Sequence, residues 1–379
     1  MKRVLILASV ASMIEMFNLP NIKLLQELGY KVDAACNFED GSNCSTEVVE
    51  GLKRKLQDID VSYYQIDFER NVTRFDKHMK AYKQVLKIMK DNNYAFIHCH
   101  TPIGGVIGRL CAKKTGTKVI YTAHGFHFFK GAPRKNWILY YPIEKYCSRF
   151  TDVLITINKE DYDLAKRKMK AGRIEYIPGV GVDIEKFDIS QADRIEKRKE
   201  LGIPDEAIII LSVGELNKNK NHITVIESLK NVKDNVHYVI AGKGTYENIL
   251  IEKAKELGIS ERVHLIGFRN DMAEIYKTAD IFVFPSYREG LSVALMEAMA
   301  NKLPVVCGRI RGNVDLADEN KGGYLCTSDN SDEFGEKINR LAQDEELRKQ
   351  FGEYNAEKIK RFDIKNVMKK MKIIYEPGG

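Results

Sequence analysis

The sequence predicts an α/β protein with two doubly wound domains, each built on a parallel sheet with helices on both faces. Three observations favour this fold class. Short apolar runs alternate with segments of helical periodicity, which is typical of parallel sheets. The alternation is interrupted once, by a glycine- and proline-rich stretch over residues 177–183, and then starts again. The length of 379 residues is sufficient for two domains of ordinary size, each with its own core.

The first series of alternating elements occupies the N-terminal half of the chain. Its strands are predicted from apolar runs at residues 4–8, 32–35, 61–66, 95–98, 119–123 and 153–157. Segment 74–90 has the periodicity of a helix. Lys2 and Arg3 ahead of the first run are also compatible with a secretory signal, but Glu15 interrupts that pattern, so a buried strand is favoured. We assign the first domain to residues 1–183.

The second series follows the glycine and proline loop over residues 177–183 and a very polar stretch, residues 190–200, and we place the linker between the domains there. Its strands are predicted at residues 208–213, 238–241, 263–266, 281–284 and 305–306. The closing segment has the spacing of an amphipathic helix, with apolar positions at Ile364, Val367, Met368, Met371, Ile374 and Tyr375. We expect residues 362–379 to pack back on the first domain rather than enter a membrane, which leaves residues 184–361 as the second domain.

The composition is that of an ordinary soluble protein, with 44% hydrophobic and 30% charged residues. The seven cysteines are odd in number, scattered and never spaced as Cys-x-x-Cys, which indicates reduced thiols in a cytoplasmic protein. No run of about 18 apolar residues is present. Any membrane contact is therefore expected to be peripheral, on the inner face of the cell membrane.

Charge is distributed unevenly along the chain. Residues 1–180 carry 29 lysines and arginines against 19 acidic residues, whereas residues 181–379 carry 31 against 34. A basic half favours an anionic partner, either a membrane surface or a phosphorylated substrate, and no recognisable nucleic-acid-binding module is present. Segments 77–90 and 126–141 combine apolar or aromatic residues with basic ones and suit a lipid headgroup boundary. An ordinary solvated surface rich in lysine is the alternative.

Residues 281–300 contain, in order, a predicted strand, a turn with a glycine and the start of a predicted helix. Backbone N–H groups at such a helix start favour an anion such as a diphosphate. Glu289 precedes the helix and Glu297 lies two turns inside it. Carboxylates accept hydrogen bonds strongly and suit sugar or ribose hydroxyls. Glu297 could instead be a solvated helix residue, but its neighbours are nearly all apolar, so we expect it to be buried and to need a partner.

In this context and at this spacing, Glu289 and Glu297 resemble the signature of the retaining glycosyltransferases of family 4, which have the two-domain GT-B fold. The first domain is similar more weakly, through residues 121–125 and the stretch 177–183. Within residues 175–330 the resemblance extends through an ordered set of motifs: Val213-Gly214-Glu215-Leu216, Lys220-Asn221, Ile240-Ala241-Gly242-Lys243-Gly244, Leu265-Ile266-Gly267-Phe268, Ala279-Asp280 and Pro304-Val305-Val306.

The resemblance implies transfer of a sugar from a nucleotide sugar, with uridine as the base, in a cleft between the domains. Glu289 is expected to contact the sugar hydroxyls, Glu297 the ribose hydroxyls and Lys220 the diphosphate. A fixed ammonium there agrees with the chemistry, because cleavage of the glycosidic bond leaves extra negative charge on the diphosphate. The same motifs indicate further donor-binding positions at Gly214, Gly242, Gly267, Phe268, Arg269, Gly290, Leu291 and Ser292.

His124 completes the predicted catalytic set with Lys220 and Glu289. It follows a predicted strand, where side chains line a cleft, and the resemblance implies contact with the sugar near the reacting carbon. A structural histidine and a surface lysine are the alternatives for His124 and Lys220. His98 and His100 alternate on one strand face, but no third ligand for a metal is evident.

The chain departs from the family pattern at three places. Glu215 stands where the family often has an arginine. Either another cation such as Arg269, Arg309 or Arg311 meets the diphosphate, or Glu215 faces something else, such as the acceptor or a neighbouring basic group. The first loop, residues 9–12, lacks the glycines that are common there, which indicates a different acceptor side. Gly242-Lys243-Gly244 has no third glycine three residues further on, so binding of NAD is disfavoured.

For the mechanism, the resemblance implies that the acceptor hydroxyl attacks the anomeric carbon from the face that the leaving phosphate vacates. A double displacement through a carboxylate nucleophile is the other route in principle. No Asp-x-Asp motif stands at a strand end, so we expect no metal and no other cofactor. The expected acceptor is a lipid-linked glycan. The expected process is the synthesis of capsule, exopolysaccharide or a similar surface polysaccharide. The alternatives are a nucleotide-sugar epimerase of similar fold and a non-catalytic carbohydrate-binding relative.

Overall fold

The computed structural model describes residues 1–39, 45–187 and 194–376. The chain forms two compact units, one of Met1–Val180 with the segment from Val367 onward, and one of Gly181–Asn366. Each unit is built on one parallel sheet, as predicted for an α/β fold.

The first unit has a seven-stranded sheet in the order β3-β2-β1-β4-β5-β6-β7. Its strands are β1 (Arg3–Val10), β2 (Lys31–Asn37), β3 (Ser62–Gln65), β4 (Phe96–His100), β5 (Lys118–Ala123), β6 (Val153–Thr156) and β7 (Arg173–Tyr176). Its helices are α1 (Ala11–Phe17), α2 (Leu19–Glu27), α3 (Thr46–Asp58), α4 (Phe75–Asn92), α5 (Pro102–Thr115), α6 (Arg134–Cys147) and α7 (Lys159–Lys168).

Both faces of this sheet are buried, which explains why its central strands are continuous apolar runs. Along β1, Ile6 belongs to the core on one face and Leu5 to the core on the other. Successive strand residues point to opposite faces, so a strand covered on both sides has no position for a polar alternation.

The second unit has a six-stranded sheet in the order β10-β9-β8-β11-β12-β13. Its strands are β8 (Ile208–Val213), β9 (Val236–Ala241), β10 (Val263–Gly267), β11 (Ile281–Phe284), β12 (Val305–Gly308) and β13 (Gly323–Cys326). Its helices are α8 (Arg194–Glu200), α9 (His222–Ser228), α10 (Glu247–Glu256), α11 (Met272–Thr278), α12 (Val293–Ala300), α13 (Asn313–Leu316), α14 (Ser331–Gln343) and α15 (Glu345–Ile359).

The last helix, α16 (Ile364–Tyr375), packs back on the first unit, which confirms the prediction for this helix. Val367 and Met371 join the core on one face of the first sheet. The Tyr30 hydroxyl donates a hydrogen bond to the Tyr375 carbonyl at 3.1 Å. The apolar stripe that suggested an amphipathic helix is therefore buried against protein.

Two strands lie outside the sequence predictions. β7 alternates charged and apolar residues in four half-buried positions at a sheet edge, and β13 begins with Gly323. The polar stretch assigned to the linker also differs, because its residues 194–200 form α8. The Arg198 side chain of α8 is buried, donates to the Ala207 carbonyl at 2.9 Å and pairs with Asp280. Residues 190–193 lie outside the described part of the chain.

The apolar side chains of segment 77–90 divide into two groups in α4. Ala81, Val85 and Met89 are buried in the core, whereas Met79 is 55% exposed. Within the described ranges, no helix has the length and apolar character that a membrane crossing requires. Six of the seven cysteines are buried free thiols, and Cys44 lies outside the described residues.

Candidate functional site

The second sheet reverses its strand order between β8 and β11. Ligands of doubly wound sheets bind at such a switch point, outside the carboxyl ends of the strands. Here the loop over residues 214–221 meets the loop over residues 285–292. The backbone N–H of Tyr287 donates to the Asn219 carbonyl at 2.9 Å, and the Asn219 amide donates to the Arg288 carbonyl at 3.0 Å. The two loops are therefore held against each other.

Lys220 and Glu289 form an ion pair across these two loops. The Lys220 Nζ lies 2.8 Å from the Glu289 Oε1, and the two side chains are 19% and 14% exposed. The same Nζ lies 4.7 Å from the centre of the Phe284 ring. Limited contact with water makes this attraction stronger than that of a surface pair. Both groups retain some exposure, so a ligand can reach them.

Glycines allow the loops after the strands to approach each other closely. A Cβ on Gly242 would lie 1.9 Å from the carbonyl oxygen of Gly214, and a Cβ on Gly244 would lie 2.3 Å from that of Leu216. The Gly242 N–H donates to the Gly267 carbonyl at 2.8 Å. These glycines thus fix the backbone beside Lys220, which gives them a structural role independent of any donor contact.

Glu297 has the partner that a buried acid requires. The carboxylate is half-buried in α12, and the Tyr276 hydroxyl donates to its Oε2 at 2.9 Å. Burial raises the pKa of Glu297, and the hydrogen bond from Tyr276 opposes that shift. Ahead of Glu297, the Ser292 hydroxyl caps α12 by accepting a hydrogen bond from the Leu295 N–H at 3.3 Å. The polar end of this helix thus faces the loop that carries Glu289.

The three arginines considered as partners of the diphosphate differ in their surroundings. Arg269 donates to both carboxylate oxygens of Asp271, at 2.8 and 2.6 Å, and these contacts raise the pKa of its guanidinium. Arg309 pairs with Glu319. Arg311 is buried, and its Nε donates to the Glu289 carbonyl at 3.3 Å. Of the three, Arg311 is therefore the one in contact with the Glu289 loop.

His124 belongs to the first unit and directly follows β5. Its Nε2 lies 3.0 Å from the Nδ1 of His100. Burial lowers the pKa of His124 to about 4 and that of His98 to about 3, so both are neutral at pH 7. His98 uses both ring nitrogens, with Tyr375 at 2.7 Å and Thr122 at 2.8 Å, and therefore has none left for a metal. Among the residues that the structure describes, no three metal-binding side chains come together.

The predicted donor-binding positions separate into groups. Lys220 and Glu289 are in direct contact, and the backbone of Gly290, Leu291 and Ser292 continues from Glu289 into α12. Gly214, Gly242 and Gly267 form the glycine contacts at the strand ends. Phe268 is 66% exposed, and Arg269 is held by carboxylates. Sequence reasoning missed two contributors, Tyr276 beneath Glu297 and Asn219 between the loops. Neither carries a sequence signal, since each acts through a neighbour distant in the chain.

Comparisons with known proteins identify the class of protein that this fold and site define. Residues 3–158 match the family model described as glycosyl transferase 4-like, and residues 193–358 match the one described as glycosyl transferases group 1. The Bacillus subtilis protein that carries the glycosyltransferase name EpsD is 35% identical over 99% of this chain and 96% of its own length.

One further relative agrees, and one solved structure shows the same fold. An Escherichia coli protein, UDP-Gal:alpha-D-GlcNAc-diphosphoundecaprenol alpha-1,3-galactosyltransferase, is 29% identical over 81% of each chain. The crystal structure of Anabaena HepE in complex with UDP-glucose superimposes with a TM-score of 0.80 at 18% identity, covers 99% of both chains, and shows a shared fold. The protein is a glycosyltransferase of GT-B fold. It belongs to the group 1 glycosyltransferases, which confirms the resemblance seen in the sequence.

Proposed function

We propose that the protein transfers a sugar from a UDP-sugar to a diphosphate-linked lipid glycan, with retention of the anomeric configuration and without a metal. The observation that carries the proposal is the Lys220–Glu289 pair at the switch point of the second sheet. The E. coli relative, whose name specifies UDP-Gal and a diphosphoundecaprenol acceptor, supports the substrate classes. Surface polysaccharide synthesis is the corresponding process.

In the proposed reaction, Glu289 accepts hydrogen bonds from the donor sugar while the Lys220 ammonium faces the diphosphate. The bond between the anomeric carbon and the diphosphate oxygen breaks, and the acceptor hydroxyl oxygen bonds to that carbon from the same face. The leaving phosphate oxygen takes the proton of the acceptor hydroxyl. Lys220, with Arg311 nearby, stabilises the charge that develops on the diphosphate. Glu297 holds the ribose hydroxyls, and His124 contacts the sugar.

The test is a panel of nucleotide sugars incubated with a polyprenyl diphosphate glycan in the presence of EDTA. We expect one donor to release UDP and transfer its sugar, and proton NMR of the product to show the anomeric configuration of the donor. Glu289→Gln and Lys220→Met are expected to lose about 10²- to 10³-fold in turnover. Lys218→Met, at an exposed lysine of the same loop, and Glu247→Gln, at the exposed start of α10, are the matched controls.

The outcomes separate the parts of the proposal. An inverted product contradicts retention, and loss of turnover in EDTA contradicts a metal-independent reaction. A donor that changes its sugar without an acceptor indicates an epimerase. If every donor remains intact with every acceptor, a non-catalytic carbohydrate-binding role replaces the transferase.

The proposed place of action is the inner face of the cell membrane, where the lipid-linked acceptor is reached. The basic character of residues 1–180 supports this location. We expect the protein to pellet with anionic phospholipid vesicles at low salt and to be released at high salt. Failure to pellet at low salt contradicts the proposed location while leaving the reaction untouched.

A further inference from the structure

The first unit contains a large apolar groove on its helical surface. It lies among α4, α5, α6 and the loop after β5, and its volume is about 870 Å³. Its walls are mostly apolar, as shown by Phe75, Met79, Ile103, Val106, Leu110 and Phe128. Cavities of this size and character are typical of small-molecule sites. All of its lining residues belong to the first unit, whereas Lys220 and Glu289 belong to the second.

Apolar side chains at the groove are exposed to an extent that folding alone does not explain. Phe75 is 78% exposed, Met79 is 55% exposed and Ile143 is 41% exposed. Single exposed apolar residues are ordinary, but a contiguous group around a cavity marks a binding surface. Met79 belongs to segment 77–90, which the sequence indicated as suited to a lipid headgroup boundary, and its exposure is compatible with that role.

The charge around the groove is positive. Residues 101–150 carry nine lysines and arginines and one acidic residue, Glu144. Glu144 is neutralised by Arg109, whose buried guanidinium lies 2.9 Å from the carboxylate. Lys113 and Lys114, in contrast, line the groove and are exposed. The groove thus combines an apolar wall, a neutral floor and a basic rim, which complements an apolar chain that carries an anionic group.

We propose that this groove binds the isoprenoid chain of the diphosphate-linked lipid acceptor, and that the positive charge of its rim attracts this anionic lipid. The inference rests on the proposed function, because it supplies the lipid part of the acceptor. A concave site favours one chain over the flat surface of a bilayer. Gly125 and His127 line the groove and follow His124, so part of its wall lies at the carboxyl edge of the first sheet.

Trp137 provides a direct reporter of binding. It is the single tryptophan of the chain, and its ring centre lies 5.5 Å from that of Phe128 in the groove wall. We would titrate the full-length protein with geranylgeranyl diphosphate, without any nucleotide sugar, and follow tryptophan fluorescence. We expect a saturable change with geranylgeranyl diphosphate, a weaker response to geranylgeraniol and none to inorganic diphosphate.

Variants connect the signal to the groove. Met79→Glu places a carboxylate in the wall and is expected to weaken binding about tenfold or more, since a charge beside an apolar chain is unfavourable. Met16→Glu, at a methionine of α1 that is 64% exposed and outside the groove, is the matched control. Lys114→Gln is expected to weaken binding and to reduce its dependence on salt, whereas Lys118→Gln, at an exposed lysine outside the groove, is expected to do neither.

The results distinguish this proposal from the proposed function. Equal binding by Met79→Glu and the wild type, or no fluorescence change at all, overturns the groove proposal even if transfer to the acceptor is active. Loss of vesicle pelleting in Met79→Glu with unchanged geranylgeranyl diphosphate binding also overturns it and indicates a membrane-facing patch. Saturable binding that Met79→Glu weakens, without transfer from any donor, supports the groove while the transferase reaction fails.

Discussion

The contact between Gly242 and Gly214 offers a sharp test of how the second unit holds Lys220, the lysine that we propose faces the diphosphate. A Cβ at position 242 would lie 1.9 Å from the carbonyl oxygen of Gly214 and 2.9 Å from its carbonyl carbon. Folded proteins do not tolerate such a distance, so in Gly242→Ala the two backbone segments must separate by about 1 Å. The φ of Gly242 is also +154°, which an alanine adopts only under strain.

The expected cost follows from these two effects. Overpacking of a well-packed site costs roughly 1–3 kcal/mol, and a backbone conformation reserved for glycine costs about 1–3 kcal/mol. The free energy of unfolding of Gly242→Ala should therefore fall by about 2–6 kcal/mol. The displaced segment leads into the loop of Lys220. A misplacement of about 1 Å is expected to reduce turnover on the order of 10²-fold.

Gly258→Ala is the matched control, because its φ is also positive, at +68°, while nothing lies within 4 Å of the added Cβ. Urea unfolding followed by circular dichroism measures the stability of both variants, and calorimetric titration with UDP measures donor-site affinity. If both variants lose equal stability, the steric reasoning is wrong. If Gly242→Ala loses stability but keeps its turnover and UDP affinity, the strand-end contact does not position Lys220.

Three further predictions concern buried ionisable groups. Burial raises the pKa of Glu297 above its unfolded value of about 4.3. The free energy of unfolding should therefore fall as pH rises from the unfolded pKa through the folded pKa. Glu297→Gln should remove that fall and weaken the binding of UDP. Burial lowers the pKa of His98 to about 3, below its unfolded value of about 6.5. The free energy of unfolding should therefore fall by up to about 1.4 kcal/mol per unit as pH is lowered from roughly 6.5 to 3. His98→Gln should flatten this slope. Arg109→Met leaves the buried Glu144 carboxylate without its partner and should lower the free energy of unfolding by about 3–5 kcal/mol. Adding Glu144→Leu should recover most of that loss. Urea unfolding at several pH values measures all three.

Each of these predictions has a control and a contradicting result. Glu247→Gln, at an exposed glutamate, should leave the pH dependence unchanged, and a pH slope in Glu297→Gln equal to that of the wild type contradicts the first prediction. Acid sensitivity that persists fully in His98→Gln contradicts the second. Arg149→Met, at an exposed arginine, should be nearly neutral. A double variant no more stable than Arg109→Met alone contradicts the third.

The sheet strands could be predicted where burial on both faces imposes a continuous apolar run. That condition holds for the central strands β1 and β8, whose residues have almost no exposure. It fails at β7, an edge strand that is half-buried throughout, because Arg173 and Glu175 interrupt the apolar run. Helix α8 was missed for a related reason. Its charged residues suggest a linker, but Arg198 is buried because backbone carbonyls and Asp280 satisfy it.

For the candidate site, the sequence predicted a set of residues but not which of them are in contact. Lys220 and Glu289 are 69 residues apart, and their contact depends on β8 lying next to β11, which is a property of topology rather than of either motif. The need of Glu297 for a partner was predictable from its apolar neighbours. The identity of that partner was not, because Tyr276 lies on a different helix. The role of Arg269 in donor binding stays a prediction.

The pairing of Lys220 with Glu289 bears directly on how a donor would bind. Each group satisfies the other, so neither is left as an unpaired charge in a poorly hydrated place. A nucleotide sugar offers hydroxyls to the carboxylate and phosphate oxygens to the ammonium, so both groups exchange one partner for another. The exchange keeps both charges compensated. The exchange also couples binding of the sugar to binding of the diphosphate. A ligand that contacts Glu289 alone leaves Lys220 without a partner, and the reverse is equally true. If Lys220 and Glu289 bind the donor as we propose, the site should favour the intact nucleotide sugar over the free sugar or the free nucleotide.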